Sequence, residues 1–430
     1  MDNPFKANLE RLTKFAPDLV AFLRKKAANA KAHGIELISG KDVTLAVDGI
    51  QLTSRHNRTE ASQITCSHLN FNEDVHLYGL GLGDEARLIL KKLSPHCRLF
   101  IHVFCPVLFY ELLNTDDEIT SFLCPRLNFI YDEDPAEINN NAAIVLSELV
   151  LEPDFGGEIK SRLINLIDRD YAALRFEKTV GLAIKNSLLA NSKYLAHEKG
   201  LDLASLKSIN KALVLGSGPS LQTDLQKIIA LKRQGYCLIA VDTAMHYLEE
   251  HGVVPDFIVS IDEKVGKHAG IRFLKDLQIY RHTILIFAPW SNPKLYLNYP
   301  GPRFYIREDR AEKILPGITT NADRLWHSGS VSHAAVSLAV KLNATEIVFS
   351  GMDLCFYGDH AHAGVKMQED PYLAYADKLY VQCNDHKRRL TQKNFNLYRE
   401  ELEDYIAVHR KIKFKTLSEH AAVIRGCSLF

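Results

Sequence analysis

Apolar residues recur with two different periods along this chain, and the change of period divides it. Leu9, Leu12, Phe15 and Leu19 repeat at helical spacing and predict an amphipathic helix running to about Lys31. The segment VTLAVDGIQLTS then alternates and reads as short strands and a turn. Val75 to Tyr78 leads into the turn Gly79-Leu80-Gly81-Leu82-Gly83, a helical run ARLILKKL and an apolar strand RLFIHVF. That order is a β-α-β unit with glycines at its first turn. A long helical stretch from about Pro153 to Lys199, interrupted by Gly156-Gly157, predicts a separation between an N-terminal domain and a central one.

From Lys211 the pattern becomes a series of short apolar runs, ALVLG, YCLIAV, FIVSI, TILIF, RFYI and EIVFS, most of them separated by helical or loop segments. Runs without polar alternation fit strands covered on both faces, as in a mainly parallel sheet of α/β type. After about Pro371 the chain turns charged, and NFNLYREELEDYIAVHRKIKF reads as a helical cap. The expected organisation is an N-terminal α/β domain over 1–175, a Rossmann-like catalytic domain over 176–370 and C-terminal helices over 371–430.

Composition narrows the class. The 430 residues are 47% hydrophobic, enough for two or three domains, each with its own core. Lys+Arg and Asp+Glu both number 52, so the basic excess of a nucleic-acid binder is absent. The longest apolar stretch, Leu99 to Leu113, is broken by His102 and Pro106 and is too short to span a bilayer. The N-terminal MDNPFKANLERL lacks the apolar core of a signal peptide. Eight cysteines contain no C-x-x-C pair, which argues against a zinc site and against a disulfide framework. Together these features predict a protein of the reducing cytoplasm.

Candidate chemistry lies where glycines and carboxylates follow strands. The first glycine turn, Gly79 to Gly83, could bring amides to a nucleotide. A dinucleotide site would add an acidic residue at the end of the next strand, and IHVF-Cys105-Pro106 has none, so the reading favours a tight structural turn. The second turn is richer. Gly216-Ser217-Gly218-Pro219-Ser220 links a strand to a helix, with Pro219 set to shape the turn and Ser220 to cap the helix. The next strands end at Asp242 and Asp262, so three consecutive strands offer polar groups at the edge where open parallel sheets bind ligands. Ser328-Gly329-Ser330 precedes a helix carrying Val331, Ala335, Leu338, Ala339 and Leu342, and can cap it or hold a phosphate. Strand EIVFS runs into Gly351-Met352-Asp353, followed by Tyr357-Gly358-Asp359-His360-Ala361-His362-Ala363-Gly364. Two loop histidines are too few ligands to specify a metal. One of them as general base is the simpler chemistry, and His386 is a further candidate.

The block from GSGPSL through IAVDTAMHYLEEHGVVPDFIVSID to HSGSVSHAAVSLAVKLNATEIVFSGMDLCFYGDHAHAG resembles the central domain of Maf (motility accessory factor) proteins. These are assigned as flagellin nonulosonate glycosyltransferases and are grouped with MptE-like pterin diphosphokinases. The resemblance covers roughly Phe176 to Pro371, and YGLGLGDEARLIL resembles the Maf amino-terminal region more loosely. The same block is similar to bacterial lipooligosaccharide sialyltransferases, with their G-x-G-P-S-L turn, an S-G motif before a helix, and an S-G-x-D strand end.

Carried over, that similarity assigns donor binding to Gly216, Ser217, Gly218, Pro219, Ser220, Asp242, Asp262, Ser328, Gly329 and Ser330, with Tyr357 near the phosphate. Asp242 and Asp262 stand where the sialyltransferases have asparagines, and a carboxylate only accepts hydrogen bonds. It would take ribose hydroxyls or a metal instead.

The implied activity is transfer, with inversion, of a nonulosonic (sialic-acid-like) sugar such as pseudaminic acid. The sugar would pass from its CMP donor to Ser or Thr of flagellin. His362 or His386 would serve as base, with Asp353 beside them. No metal is required by that chemistry, although magnesium is compatible with it. Two alternatives belong to other classes. One is an MptE-like pyrophosphokinase using ATP, with magnesium on Asp242, Asp262 and Asp353. The other is a non-catalytic partner of flagellin.

Overall fold

The computed structural model describes residues 4–28, 30–115, 119–131, 138–139, 141–151, 163, 181–261, 274–357, 363 and 379–430. Contacts divide the chain into two compact units, Met1–Leu166 and Ile167–Phe430.

Unit 1 opens with two helices, α1 (Pro4–Phe15) and α2 (Pro17–Ala28). The single helix expected to Lys31 is therefore split. Pro17 has no N–H to donate and disfavours helical geometry at Ala16, so one helix stops and the next starts there. An antiparallel sheet of β1 (Ile35–Ser39), β2 (Val43–Val47) and β3 (Ile50–Gln51) follows, then α3 (Arg58–Thr65). The expected β-α-β unit is present as β4 (Val75–Tyr78), α4 (Asp84–Lys92) and β5 (Leu99–His102). After it come α5 (Pro106–Leu112), β6 (Leu127–Ile130), β7 (Ala142–Ile144) and α6 (Leu146–Leu151). The four strands β6-β5-β4-β7 form one parallel sheet. Its core includes Leu77, Tyr78, Leu99, Ile101 and Ala143, all buried.

Unit 2 carries α7 (Leu182–Leu195), β8 (Lys199–Gly200), β9 (Lys211–Leu215), α8 (Ser220–Thr223), α9 (Leu225–Arg233), β10 (Cys237–Val241), α10 (Met245–Glu250) and β11 (Phe257–Ser260). It continues with β12 (Ile284–Phe287), α11 (Pro293–Tyr296), β13 (Arg303–Tyr305), α12 (Asp309–Ile314), α13 (Val331–Lys341) and β14 (Glu346–Ser350). The hairpin β15 (Leu379–Gln382) and β16 (Arg388–Thr391), α14 (Lys393–Val408), β17 (Lys413–Thr416) and β18 (Cys427–Leu429) complete it. All six apolar runs of the sequence reading are strands. They lie in a nine-stranded sheet, ordered β18-β17-β14-β9-β10-β11-β12-β13-β8, in which every pairing is parallel.

Two expectations need correction. The segment after 371 is not only helical. Its helix stops at Val408, and Lys413 and Phe414, the expected helix tail, open β17, paired with β14. Phe414 is buried there while its neighbours Lys413 and Lys415 are not, which is strand alternation too short to register against the preceding helix. The long helix expected to Lys199 ends at Leu195, and Lys199 already belongs to β8.

The strand order fixes where a ligand can sit. From β9 the chain winds outward through β10, β11, β12 and β13, then returns to place β14 on the opposite side of β9. The crossovers after β9 and β14 therefore leave the sheet in opposite directions. In open parallel sheets the crevice at such a switch point is the binding place.

Candidate functional site

The turn after β9 and the turn after β14 are locked together at that switch point. Gly216 N–H donates to Ser350 O (2.8 Å), Gly218 N–H to Gly351 O (2.7 Å), and Gly351 N–H to Ser220 Oγ (2.9 Å). A Cβ on Gly216 would overlap the Gly351 carbonyl, and one on Gly351 would overlap the Gly216 carbonyl. Gly351 also has φ +69°, a left-handed conformation that glycine adopts without strain. Two backbones touch here only because neither has a side chain. Pro219, at φ −58°, precedes α8 as the sequence suggests, but Ser220 caps no helix. Its hydroxyl is spent on the opposite turn.

Asp353 is held by the same contact. Ser220 N–H donates to its Oδ2 (2.8 Å), while Oδ1 is buried with no hydrogen-bond partner among the described residues. Burial raises its pKa to about 6, against the pull of the Ser220 backbone and the Ser220 and Ser418 hydroxyls. Asp242 follows β10 and is also buried. It accepts from Thr243 N–H (2.8 Å) and from the Ser260 hydroxyl (2.6 Å), which ties the ends of β10 and β11 together. Asp262 lies outside the described residues.

A cavity of about 320 Å³ opens over these turns, lined by Ser217, Gly218, Thr243, Asp353 and Cys355, by Ser330 before α13 and by the first residues of α13, Val331 to His333. Gly329, at φ +75°, turns the chain into α13, and Ser330 takes the extended N-cap conformation but makes no side-chain cap bond. Its hydroxyl and the first N–H groups of the helix are thus presented at the positive end of α13, where an anion is stabilised. Ser328 does not join them. Its hydroxyl donates to Glu401 Oε2 on α14 (3.0 Å).

His333 supports this helix start from beneath, and the sequence reading passed over it. The ring is buried, with Nε2 facing Tyr398 O (2.9 Å) and Nδ1 facing Ser328 N–H (3.4 Å). That pairing makes Nε2 the donor and Nδ1 the acceptor of a neutral imidazole. Burial lowers its pKa to about 4, so it stays neutral. Trp326 stacks on it with centroids 4.5 Å apart, and Tyr405 stacks on Trp326 at 4.1 Å. From α14 and the residue before it, Gln392, Asn394 and Tyr398 also line the cavity. Their role comes from the folding back of a segment far along the chain, so no local motif marked them.

The candidate bases are placed differently. His362 lies outside the described residues, but its neighbour Ala363 donates its N–H to Ser217 O (2.7 Å), on the cavity wall. His386 occupies the exposed turn between β15 and β16, with φ +59°, and does not line the cavity. Tyr357 is also elsewhere. It stacks on His420 (4.3 Å, 8°) beside Arg389, which forms a paired salt bridge to Asp385 (2.7 and 2.6 Å). Among the described residues no group of three or more His, Cys, Asp or Glu side chains could hold a metal ion.

The first glycine turn is occupied by the protein itself. Gly79, Gly81 and Gly83 all have positive φ, and the Leu80 and Gly81 N–H groups both donate to Glu148 Oε1, the former at 2.8 Å. Burial raises the pKa of Glu148, and these amides oppose the rise. β4 is flanked by β5 and β7, so this turn too stands at a switch point, with a carboxylate from α6 where a ligand would go.

Residues 186–359 match the MptE-like family model, described as 6-hydroxymethylpterin diphosphokinase MptE-like. The matched segment contains β9 to β14, both turns of the switch point and α13. An uncharacterized protein of Treponema pallidum (strain Nichols) is 33% identical over 113 residues, 26% of this chain and 51% of that one. The chain thus spans about half the length of that curated relative. The structure of a Maf glycosyltransferase from Magnetospirillum magneticum AMB-1 aligns with 99% of this chain and 74% of its own, at 16% identity and a TM-score of 0.45. Among the described residues no helix is long and apolar enough to cross a membrane.

Proposed function

We propose that unit 2 is a glycosyltransferase that moves a nonulosonic sugar from a CMP-activated donor to a hydroxyl acceptor. The acceptor suggested by the sequence resemblance is flagellin. The observation that carries this reading is the cavity at the β9/β14 switch point, where the Gly216–Ser220 turn meets the unfilled start of α13. A CMP leaving group carries its developing charge on phosphate. Ser330 and the first amides of α13 offer preorganised donors to such a charge. Asp353 Oδ1, buried and unpartnered, is an acceptor suited to a donor hydroxyl. Asp242 plays a supporting part by fixing the ends of β10 and β11.

In the step itself, the acceptor oxygen attacks the anomeric carbon, the bond from that carbon to the phosphate oxygen breaks, and the electron pair leaves on CMP. A histidine takes the acceptor proton. The Ala363–Ser217 hydrogen bond favours His362 for this over His386, which is exposed on a hairpin turn.

A second reading, a diphosphokinase using ATP and magnesium, is favoured by the MptE-like match. The described residues do not fit its metal well. Asp242 is engaged by Ser260 and Thr243, and of the two described aspartates Asp353 Oδ1 is the oxygen without a hydrogen-bond partner, while Asp262 lies outside the described residues. Thermal-shift titration with CMP, CDP, UMP and ATP, each with and without magnesium, separates the readings, because a ligand of the folded state raises Tm by mass action. CMP alone should stabilise the wild type, and Gly218→Ala should abolish the shift, since its Cβ would press on Asp353 Oδ2. Stabilisation by ATP only with magnesium would select the diphosphokinase. No shift with any nucleotide would leave a non-catalytic partner of flagellin.

A further inference from the structure

Cys355 and Cys383 are the two cysteines whose sulfurs meet among the described residues, with Sγ atoms 3.8 Å apart. They come from different parts of unit 2. Cys355 lies two residues beyond Asp353 and lines the cavity, and Cys383 follows β15 at the start of the hairpin turn. Both are buried, and both are backed by fixed backbone. The Cys355 thiol donates to His420 O (3.5 Å), and Cys383 is bridged to Ala422, whose own N–H donates to Asp353 O (2.8 Å).

We propose that Cys355 and Cys383 form a reversible disulfide at the floor of the cavity, with a hydroperoxide as the oxidant. Closing the gap from 3.8 Å to a bonded sulfur pair needs a movement of about 2 Å. A side-chain rotation with a small shift of the hairpin supplies it. Access is through the cavity, where Cys355 is a wall residue and a molecule as small as hydrogen peroxide can enter.

The chemistry balances without another component. A thiolate attacks one peroxide oxygen, the O–O bond breaks, and hydroxide leaves to take up a proton as water. The second thiol then displaces hydroxide from the resulting sulfenic acid, forming the S–S bond and a second water. Two thiols are oxidised and one hydrogen peroxide is reduced to two waters. The neighbouring Cys355 thiol first, and then Arg389, favour the Cys383 thiolate and lower its pKa to about 7 despite burial. The charged and titratable groups around the pair are Arg389, its partner Asp385, Asp353 and His420. The other six cysteines show no such arrangement among the described residues. Cys66, Cys237 and Cys427 are instead pushed up to about 12 by burial.

The linkage would tie the hairpin to the segment that carries Asp353, so it would alter the cavity. The test treats the full chain with increasing hydrogen peroxide, blocks remaining thiols, and maps peptides by mass spectrometry without reduction. The expected product is a peptide pair joined through Cys355 and Cys383, removed by dithiothreitol and absent in Cys355→Ala and in Cys383→Ala. In the same samples the thermal shift given by CMP should fall at least several-fold on oxidation and return on reduction. Overoxidation of single cysteines without that linked pair, or linkage mainly to other cysteines, would overturn the proposal. A linked pair that leaves ligand binding unchanged would overturn its effect on the cavity. Failure of CMP to bind the reduced wild type counts against the transferase reading instead, and the peptide map still decides the disulfide.

Discussion

At the scale of single residues, Asp353 and Gly351 make opposite demands on the protein. Asp353 has its pKa raised by burial to about 6, above the usual carboxylate range, so the folded state holds its proton more tightly than the unfolded chain does. The stability this contributes is full below about pH 4 and is lost as pH rises through about 6. Asp353→Asn keeps an acceptor for Ser220 N–H and cannot ionise. It should therefore gain stability relative to wild type on going from pH 4 to pH 7, by on the order of 2–3 kcal/mol. Urea unfolding of both proteins at the two pH values checks this, and parallel curves would refute it. Gly351→Ala acts without regard to pH. Its Cβ would meet the Gly216 carbonyl at a left-handed φ, and the expected loss is about 2–4 kcal/mol in the same assay. A loss below about 1 kcal/mol would mean that the two turns can separate.

Elements show a contrast between the two glycine turns. Both follow a central parallel strand at a switch point, yet one opens on a cavity and the other is filled by Glu148 from α6. Glu148→Ala would strand two buried N–H groups, at about 1–3 kcal/mol each, while Glu148→Gln would keep an acceptor and lose less. Equal midpoints for the two variants in denaturant would show that the carboxylate is not what the turn binds. Much of this level is legible in the sequence. The six apolar runs, the turn Gly216 to Ser220 and the aspartate after β10 stand out in the sequence, because strands covered on both faces and the residues that end them leave local patterns. What escaped has no local pattern. β8, β17 and β18 are short pieces at or near the sheet margins, Glu148 meets its turn across 68 residues, and His333 is defined by a carbonyl 65 residues on. Tyr357 is a candidate for its nearness in sequence to Asp353, and His386 for its place before the C-terminal helix in the family resemblance, but neither lines the cavity.

For the whole molecule, the division into two units predicts where a ligand is felt. The described residues that line the cavity all belong to unit 2, so CMP should slow amide exchange in β9, β14 and α13. Exchange in β4 and β5 of unit 1 should be unchanged. Protection of equal size in both units, read by mass spectrometry, would contradict a site confined to one. The return of β14 to the side of β9 has a further consequence, for the time at which the site comes into being. Strands β9 to β13 can pair with successive neighbours as they leave the ribosome, each bringing its partner close along the chain. Ser220 and Gly351, separated by 131 positions in sequence, meet only after the chain between them has been made and packed. The candidate site is thus among the last features of unit 2 to be assembled, and a nucleotide bound there would report a finished fold.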